Sequence, residues 1–367
     1  MITRRRFNAG APVLLGGALG LCACAPPSGA DDYDTLVAQT WRPGLRAVGA
    51  GAALNEELVR CATLAPSSHN TQCWKFRLED QAITLSVDGA RRCPAVDPDE
   101  HHMFVSLGCA TENLAQAALA HSLHADARYQ AEFQTIRIEL AATRAQASTL
   151  YQAIPWRQCT RGDYDGQALS SAELALLERA GTSPGVRLQL LTERPDRERV
   201  LEHVVDANTL QMADPAFVQE LKSWIRFNAT DAARTRDGLF SRTTGNPAIP
   251  DWLGQRAFGL FYKPASENDK IARQIRSSAG IAVFTGQVAD KAHWVEVGRC
   301  YERFALQAAA LGIRNALLNQ PVEVQSARAP FATALGLGDQ RPDLVVRFGR
   351  GPRMPSSLRR PLQAVLV

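Results

Sequence analysis

The chain has 367 residues, is 46% hydrophobic and 21% charged, and carries a formal charge of +4. Arg4, Arg5 and Arg6 lie in a leader with no acidic residue, and setting them aside leaves 38 basic against 37 acidic groups. That balance gives no electrostatic footprint for nucleic acid, and the length provides core enough for one large domain or two intimate ones.

In the leader, Thr3-Arg4-Arg5-Arg6-Phe7 precedes an apolar, glycine-rich run from Ala9 to Leu21 and then Leu21-Cys22-Ala23-Cys24. The run is too short to span a bilayer as a mature helix. Basic region, apolar region and cleavage site stand in the order of an export signal. The paired arginines resemble a twin-arginine signal and Leu21–Cys24 resembles a lipobox, which implies acylation of Cys24 and an exported, periplasmic chain anchored to a membrane by lipid. Six cysteines remain, with no metal-site spacing and no need for staples in so large a chain. The histidines form no metal pattern either: His101 and His102 are adjacent and cannot share a helix face.

Residues 25–53 read as a Gly/Ala/Pro-containing tether. A helix is expected from Asn55, as N-cap, to Leu64. It is followed by the turn Ala65-Pro-Ser-Ser-His-Asn-Thr-Gln-Cys-Trp-Lys-Phe76 and strands at 74–78 and 83–87 that alternate apolar and polar residues. A long apolar-faced helix is expected from Ser106 to about Leu123, then strands at 127–129 and 136–140. The second half, from about residue 151, opens with Ile154-Pro-Trp-Arg-Gln-Cys-Thr-Arg161. Ser170 and Glu173 form a capping box for a helix to Ala180. Further along come a strand at 186–191, helices at 195–212 and 215–227, and an ordered loop at 236–264. The chain closes with a helix at 271–277, a strand at 281–285, a long helix at 294–311, a strand at 314–318, a helix at 324–335 and a strand at 343–348.

An internal repeat is visible. Gly108, Glu112, Ala115, Ala118 and Ala120 recur 190 positions later as Gly298, Glu302, Ala305, Ala308 and Ala310. Glu57-Leu58 recurs as Glu173-Leu174, 116 positions later, so the second copy carries an insertion of about 74 residues within 192–269.

The turn concentrates hydroxyls, an amide and backbone N–H groups where the chain changes direction, an arrangement suited to a polar anion. Together with Arg157-Gln158-Cys159-Thr160-Arg161, the Ala308-Ala-Ala-Leu-Gly-Ile313 run before a strand, and Arg341-Pro-Asp-Leu-Val-Val-Arg-Phe-Gly-Arg-Gly-Pro352, it resembles the nitroreductase superfamily, in its single-chain, duplicated, Acg-like branch. The resemblance implies an α+β, nitroreductase-like fold in two duplicated halves, 54–150 and 151–367, forming a pseudo-dimer with a lid insertion at about 195–268. It also implies one FMN between the halves of a monomer. The flavin contacts it implies are Pro66, Ser67, Ser68 and Asn70 from the turn, Arg157, Gln158, Cys159 and Arg161 from the basic segment, and Gln320 beside the ring. Arg350, Arg359 and Arg360 are implied near the phosphate. Cys73, Cys159 and Gln158 depart from the family pattern, the last two weakening phosphate contacts. The region 231–259, with Phe240, Trp252 and Phe258, resembles a lid over the flavin face.

The function implied is an FMN-dependent oxidoreductase of the cell envelope in which the cofactor does the chemistry and no protein acid/base triad is required. Its donor and acceptor are unidentified small molecules, NAD(P)H not being expected outside the inner membrane. A flavin-sequestering protein with little turnover and a cofactor-free interaction protein are the competing classes.

Overall fold

The computed structural model describes residues 29–44 and 51–367. Cys24 and the expected export signal lie outside the described residues. The front half contains α1 (Gly29–Thr40), α2 (Ala52–Thr63), β1 (Trp74–Leu78), β2 (Ala82–Val87), α3 (His101–Ala120), β3 (Leu123–Gln130) and β4 (Thr135–Ala142). The back half begins with α4 (Thr149–Ala153), α5 (Ser171–Gly181), β5 (Val186–Leu191), α6 (Arg194–Ala213) and α7 (Pro215–Trp224). There follow β6 (Ile225–Arg226), α8 (Ala229–Thr235), β7 (Leu239–Phe240), α9 (Asp251–Phe261), α10 (Pro264–Arg276), β8 (Gly280–Gly286) and α11 (Lys291–Ala310). Then come β9 (Arg314–Leu317), α12 (Gln320–Glu323), α13 (Gln325–Ala334) and β10 (Leu344–Gly349). Among the described residues no helix is long and apolar enough to cross a membrane.

The fold is α+β, with an antiparallel four-stranded sheet in each half. The orders are β1-β2-β4-β3 and β5-β8-β10-β9, the same sequence of strands in each half. The sheets differ in what covers them. In the front sheet Ile83, Leu85, Ile136 and Ile138 point into the core, while Arg137 and Glu139 of the same β4 make exposed ion pairs or face solvent. That alternation marks a sheet packed on one face. In the back sheet β8 and β10 are buried throughout. Ala282, Phe284, Val346 and Phe348 join the central core, while Ile281, Val283 and Val345 face a second cluster with Val200, Ile275 and Phe331. The chain between β5 and β8, residues 192–279, supplies much of this second layer, where the front half joins its first two strands through residues 79–81.

The halves meet along α3 and α11. A Cβ added to Gly108 would stand 2.0 Å from the carbonyl oxygen of Val295, and one added to Gly298 would stand 2.0 Å from that of Val105. The contact is reciprocal across 190 positions, and only glycine allows so close an approach of two backbones. The tail binds the halves further: Phe76 N–H donates to Val365 O at 2.8 Å and Val367 N–H to Phe76 O at 3.0 Å, which covers the open edge of β1.

Several boundaries differ from the sequence expectation. Residues 29–44 are not an open tether: α1 packs on the back half through Tyr33, whose ring lies 4.8 Å from that of Phe240, and Trp41 Nε1 donates to Ser357 O at 2.7 Å. Asn55 is no N-cap. The helix starts at Ala52, and Asn55 Nδ2 donates to Glu79 O at 3.2 Å from inside it. α3 begins five residues before Ser106 because Asp97, outside the helix, accepts from the N–H groups of His102 and Met103, both at 3.0 Å. Within the expected loop 236–264 lies α9, and its glycines, Gly254 and Gly259, masked it. The Ser170–Glu173 capping box is present as expected.

Candidate functional site

The serine turn is built by strained backbone held from several sides. His69, Asn70 and Gln72 all have φ of 50 to 54°, the left-handed region that non-glycine residues adopt at a cost of roughly 1 kcal/mol or more each. Gln72 N–H donates to Ser67 Oγ at 2.9 Å. Asn70 Nδ2 donates to Gly238 O at 3.0 Å, Gln72 Nε2 to Arg236 O at 2.9 Å, and Arg91 Nη1 to Thr71 O at 2.8 Å. The turn is thus clamped to the insertion at 236–238. A second tie runs alongside it: Arg91 and Arg226 grip the two oxygens of Asp237 at 2.9 and 2.7 Å, and hold its carboxyl below the usual range despite burial.

Beneath the turn two arginines are consumed by structure. Arg359 is buried, and its guanidinium donates to Thr63 O, Leu64 O, Ala65 O and Asn70 Oδ1, at 2.7 to 3.1 Å. These are the orphan carbonyls at the end of α2 and the amide of the turn. Burial lowers the Arg359 pKa to about 9, with Arg157 adding repulsion. Arg157 donates to Leu64 O at 2.7 Å and sets its Nε 3.2 Å from Glu302 Oε1, an ion-pair distance whose angles do not make a hydrogen bond. Burial pushes the Glu302 carboxyl up to about 7, against the pull of Arg157. Asn113 lies near enough to favour its charged form yet outside hydrogen-bonding geometry.

Beside the turn lies a cavity of about 410 Å³, roofed by the insertion and floored by the back sheet. Leu221, Ile225, Phe227, Phe258 and Tyr262 supply apolar roof and wall. Arg161, Lys270, Arg347, Gln320, Ser241 and Thr244 supply polar groups, and Glu267 the carboxylate. Lys270 reaches Thr244 O at 3.2 Å and lies 4.0 Å from Glu267. Arg347 is fully buried in β10 with no carboxylate partner among the described residues. It donates to Thr160 O at 3.1 Å and Gly162 O at 2.8 Å from Nη2 and to Gln274 O at 3.3 Å from Nη1, and stacks 4.2 Å over the Tyr164 ring, while its Nε has no partner. Burial lowers its pKa and the nearby Arg161 contributes. The Arg161 side chain has no hydrogen bond or ion pair with another described residue. Its charge also helps lower the His69 pKa to about 4, after the larger effect of burial, which ties Arg161 spatially to the serine turn. Gln320 Oε1 is buried without a partner. A smaller recess is lined by Pro66, Ser67, Ser68, His102 and Tyr301, and it shares Leu317 with the main cavity.

Of the residues anticipated from sequence, Arg161 and Gln320 line the main cavity, and Pro66, Ser67 and Ser68 line the recess beside it. Asn70 is spent holding the turn to Gly238. Arg157 and Arg359 sit under the turn on helix-end carbonyls, so neither guanidinium lines either cavity. Gln158 clamps the tail, donating to Met354 O at 2.7 Å and accepting from Met354 N at 3.0 Å. Cys159 bridges Asn315 at the edge of β9. Arg360 ties Gln72, Asp88 and Ala364. The Arg350 side chain pairs with Glu173 in the first turn of α5, and its backbone carbonyl accepts from Asp165 N–H. Of the expected lid aromatics Phe258 lines the cavity, Phe240 packs on Tyr33, and Trp252 is 63% exposed. Arg347 and Lys270 were missed. A charge inside the apolar run Leu344-Val-Val-Arg-Phe348 was the available signal for the first.

Asp97, His101 and His102 do come together, with ligand-capable atoms within 4.8 Å. Hydrogen bonds account for Asp97 and His101, while His102 Nδ1 lies 3.7 Å from Glu323 without a hydrogen bond. Asp97 caps α3, and His101 donates from Nε2 to Asp343 at 2.8 Å while its Nδ1 accepts from Arg341 at 3.1 Å. That neutral form agrees with burial holding its pKa well below the ordinary value.

No protein-family model matches the sequence. Two curated proteins of Mycobacterium tuberculosis H37Rv named "Putative NAD(P)H nitroreductase", Rv3131 and acg, do. The first is 23% identical over 317 residues, 83% of this chain and 88% of that one. The second is 22% identical over 329 residues, 84% and 93% of the respective chains. Among solved structures, a nitroreductase with bound FMN from Desulfitobacterium hafniense DCB-2 covers 59% of this chain and 96% of that one at 12% identity and a TM-score of 0.38. The FMN-dependent nitroreductase NfnB from Mycobacterium smegmatis, in complex with NADPH, gives the same identity, coverages and score. The chain is α+β and, over most of its length, is similar to these proteins named as nitroreductases. The two curated relatives match it over 88% and 93% of their own length.

Proposed function

We propose that this chain is an FMN-dependent oxidoreductase of the cell envelope that holds one flavin beneath the insertion. The observation that carries the reading is the convergence of Arg161 and Arg347 on the cavity, two guanidinium groups with no carboxylate at ion-pair distance among the described residues. Like charges driven together in a desolvated site favour an anion between them, and a phosphate offers paired acceptors to planar donors. Lys270 would add a third cation. Gln320, with its unpartnered amide oxygen, would face the polar edge of the ring. Phe258 and Tyr262 would cover apolar surface, and Ser67 and Ser68 would approach from the recess. The volume of about 410 Å³ lies in the usual range for cofactor sites. Bound FMN would supply reversible two-electron chemistry; these residues bind it, orient it and exclude water.

The donor on this reading is not NAD(P)H, a departure from the names its relatives carry, because the leader directs the chain out of the cytoplasm, with acylation at Cys24. The matching sheet orders and the Gly108–Gly298 contact support an origin by internal duplication. A monomer with one flavin then suffices. Sequestration of flavin with little turnover is a second reading, favoured by the ties that hold the insertion down through Asn70–Gly238 and Arg91–Asp237–Arg226.

Arg161→Ala tests the cofactor site. Titration of the apoprotein with FMN, followed by flavin fluorescence, should show affinity reduced by a factor of about 10 to 100, the scale of one lost hydrogen bond to a charged group. Unchanged affinity would remove Arg161 from the site. Stopped-flow mixing of the FMN-loaded protein with NADPH should leave the flavin oxidised; rapid bleaching would refute the assignment of the donor. Globomycin should block maturation, and a soluble mature form in untreated cells would refute lipidation.

A further inference from the structure

We propose that the outer face of α9 is a membrane-docking surface, which lays the insertion against the bilayer that holds the lipid anchor. Three of the eight exposed large hydrophobic side chains among the described residues lie on this one helix: Trp252 at 63%, Leu253 at 36% and Leu260 at 70%. Trp252, Arg256 and Leu260 follow one another at four-residue spacing, with Leu253 beside them, so they form a single stripe. The opposite face is committed. Gly254 lies so close to Phe227 that an added Cβ would stand 2.3 Å from its ring, and Phe258 packs on the same ring and lines the cavity. A helix apolar on both faces, with only one of them covered by the fold, has a second apolar surface to satisfy.

The anchor selects the occupant. The start of α1 lies five positions after Cys24, at most about 18 Å of extended chain. Tyr33, in the first half of α1, is buried against Phe240 and Ala232 of the insertion. A lipid on Cys24 therefore enters the bilayer beside the insertion, not beside the front sheet. The composition of the stripe suits a lipid surface. Trp252 is amphipathic, Leu253 and Leu260 are aliphatic, and Arg256 can extend its charge to anionic headgroups, with exposed Lys263 just beyond the helix. Because Gly254 and Phe258 line the cavity from the other side of α9, docking brings the roof of the cavity to the membrane surface.

This inference rests on the proposed acylation of Cys24 but not on the cofactor, and its test reads neither. The chain from Ala25 onward keeps every described residue and lacks the acyl site. It is mixed with vesicles of phosphatidylethanolamine and phosphatidylglycerol, three to one, and sedimented. We expect it to sediment with the vesicles. The double substitution Trp252→Ser/Leu260→Ser should lower the partition coefficient by at least about tenfold. Both side chains are more than half exposed, so the unfolding temperature should hold. Arg256→Glu should lower partition by about fivefold at low salt and by less at high salt. Protein that stays in the supernatant at millimolar lipid overturns the proposal, as does equal sedimentation of the double variant. A lipid-free dimer in analytical ultracentrifugation that the double substitution dissociates overturns it in favour of a contact between two copies. Failure of the unsubstituted chain to bind FMN, measured in a separate titration, would refute the cofactor reading and leave this surface standing.

Discussion

Glu112 of α3 and Glu302 of α11 occupy matching places on two helices that cross at matching glycines, yet their surroundings are unlike. Glu112 receives Gln116 Nε2 at 2.9 Å, Arg303 Nη1 at 2.9 Å and Arg299 Nε at 3.3 Å, the arginines being partly exposed. Glu302 is fully buried, has Arg157 as its one ion-pair partner among the described residues, and neither oxygen accepts a hydrogen bond. The first end closes on itself as an ordinary ion-pair network. The second carries buried arginines, a strained turn and a roofed cavity. The difference teaches that the matching helix frame sets the positions, and that the insertion and the tail give one of two comparable ends a roofed cavity.

The frame itself is the most fragile part. Gly108→Val would drive a side chain into the Val295 carbonyl, which as backbone cannot turn aside, and we expect a loss of more than about 4 kcal/mol, seen as insoluble or unfolded protein. A soluble, cooperatively folded variant would show the helices free to separate. The two ends should then part company. Arg157→Ala leaves Glu302 as an uncompensated buried carboxyl and should cost roughly 3–5 kcal/mol in urea unfolding, whereas Arg303→Ala, where Arg299 and Gln116 remain on Glu112, should cost about 1 kcal/mol. Equal losses would erase the contrast.

Protonation sharpens it further. The Glu302 carboxyl is raised from 4.5 to about 7, so the native state holds a proton that the unfolded chain has released. Its contribution to stability is fully present below pH 4.5 and is lost as pH rises to 7, by roughly 3 kcal/mol. Subtracting the pH profile of Glu302→Gln from that of the native chain isolates this slope from His69, whose lowered pKa acts in the opposite direction as pH falls below 6.5. A flat difference between pH 4.5 and 7 would mean that Glu302 is ionised throughout. The smallest effect belongs to Arg350→Ala, which should leave FMN affinity within about twofold, since that side chain pairs with Glu173 and lies outside both cavities.

Much of this was legible in the chain. Alternation and apolar runs located the eight strands of the two sheets to within a few residues, because a sheet packed on one face and a sheet packed on both leave different patterns. What was not legible depended on partners distant in sequence. Asp97 starts α3 from outside it, and α1 is helical where its Tyr33 finds Phe240. The arginines divide in the same way. Arg157, Arg161 and Arg359 are alike in sequence, and only the folded chain separates a guanidinium spent on the carbonyls of α2 from one left facing a cavity. Arg347 was hidden because a charge within an apolar strand looks like a boundary until its second face is seen to be covered.

The account stands most directly on the number of flavins bound per chain. Apoprotein titrated to saturation with FMN, freed of excess and measured by its visible absorbance against protein concentration, should carry one FMN per chain, in the cavity of the Arg161 end. Two would mean that the Glu112 end is also a site, and none would contradict the cofactor assignment altogether.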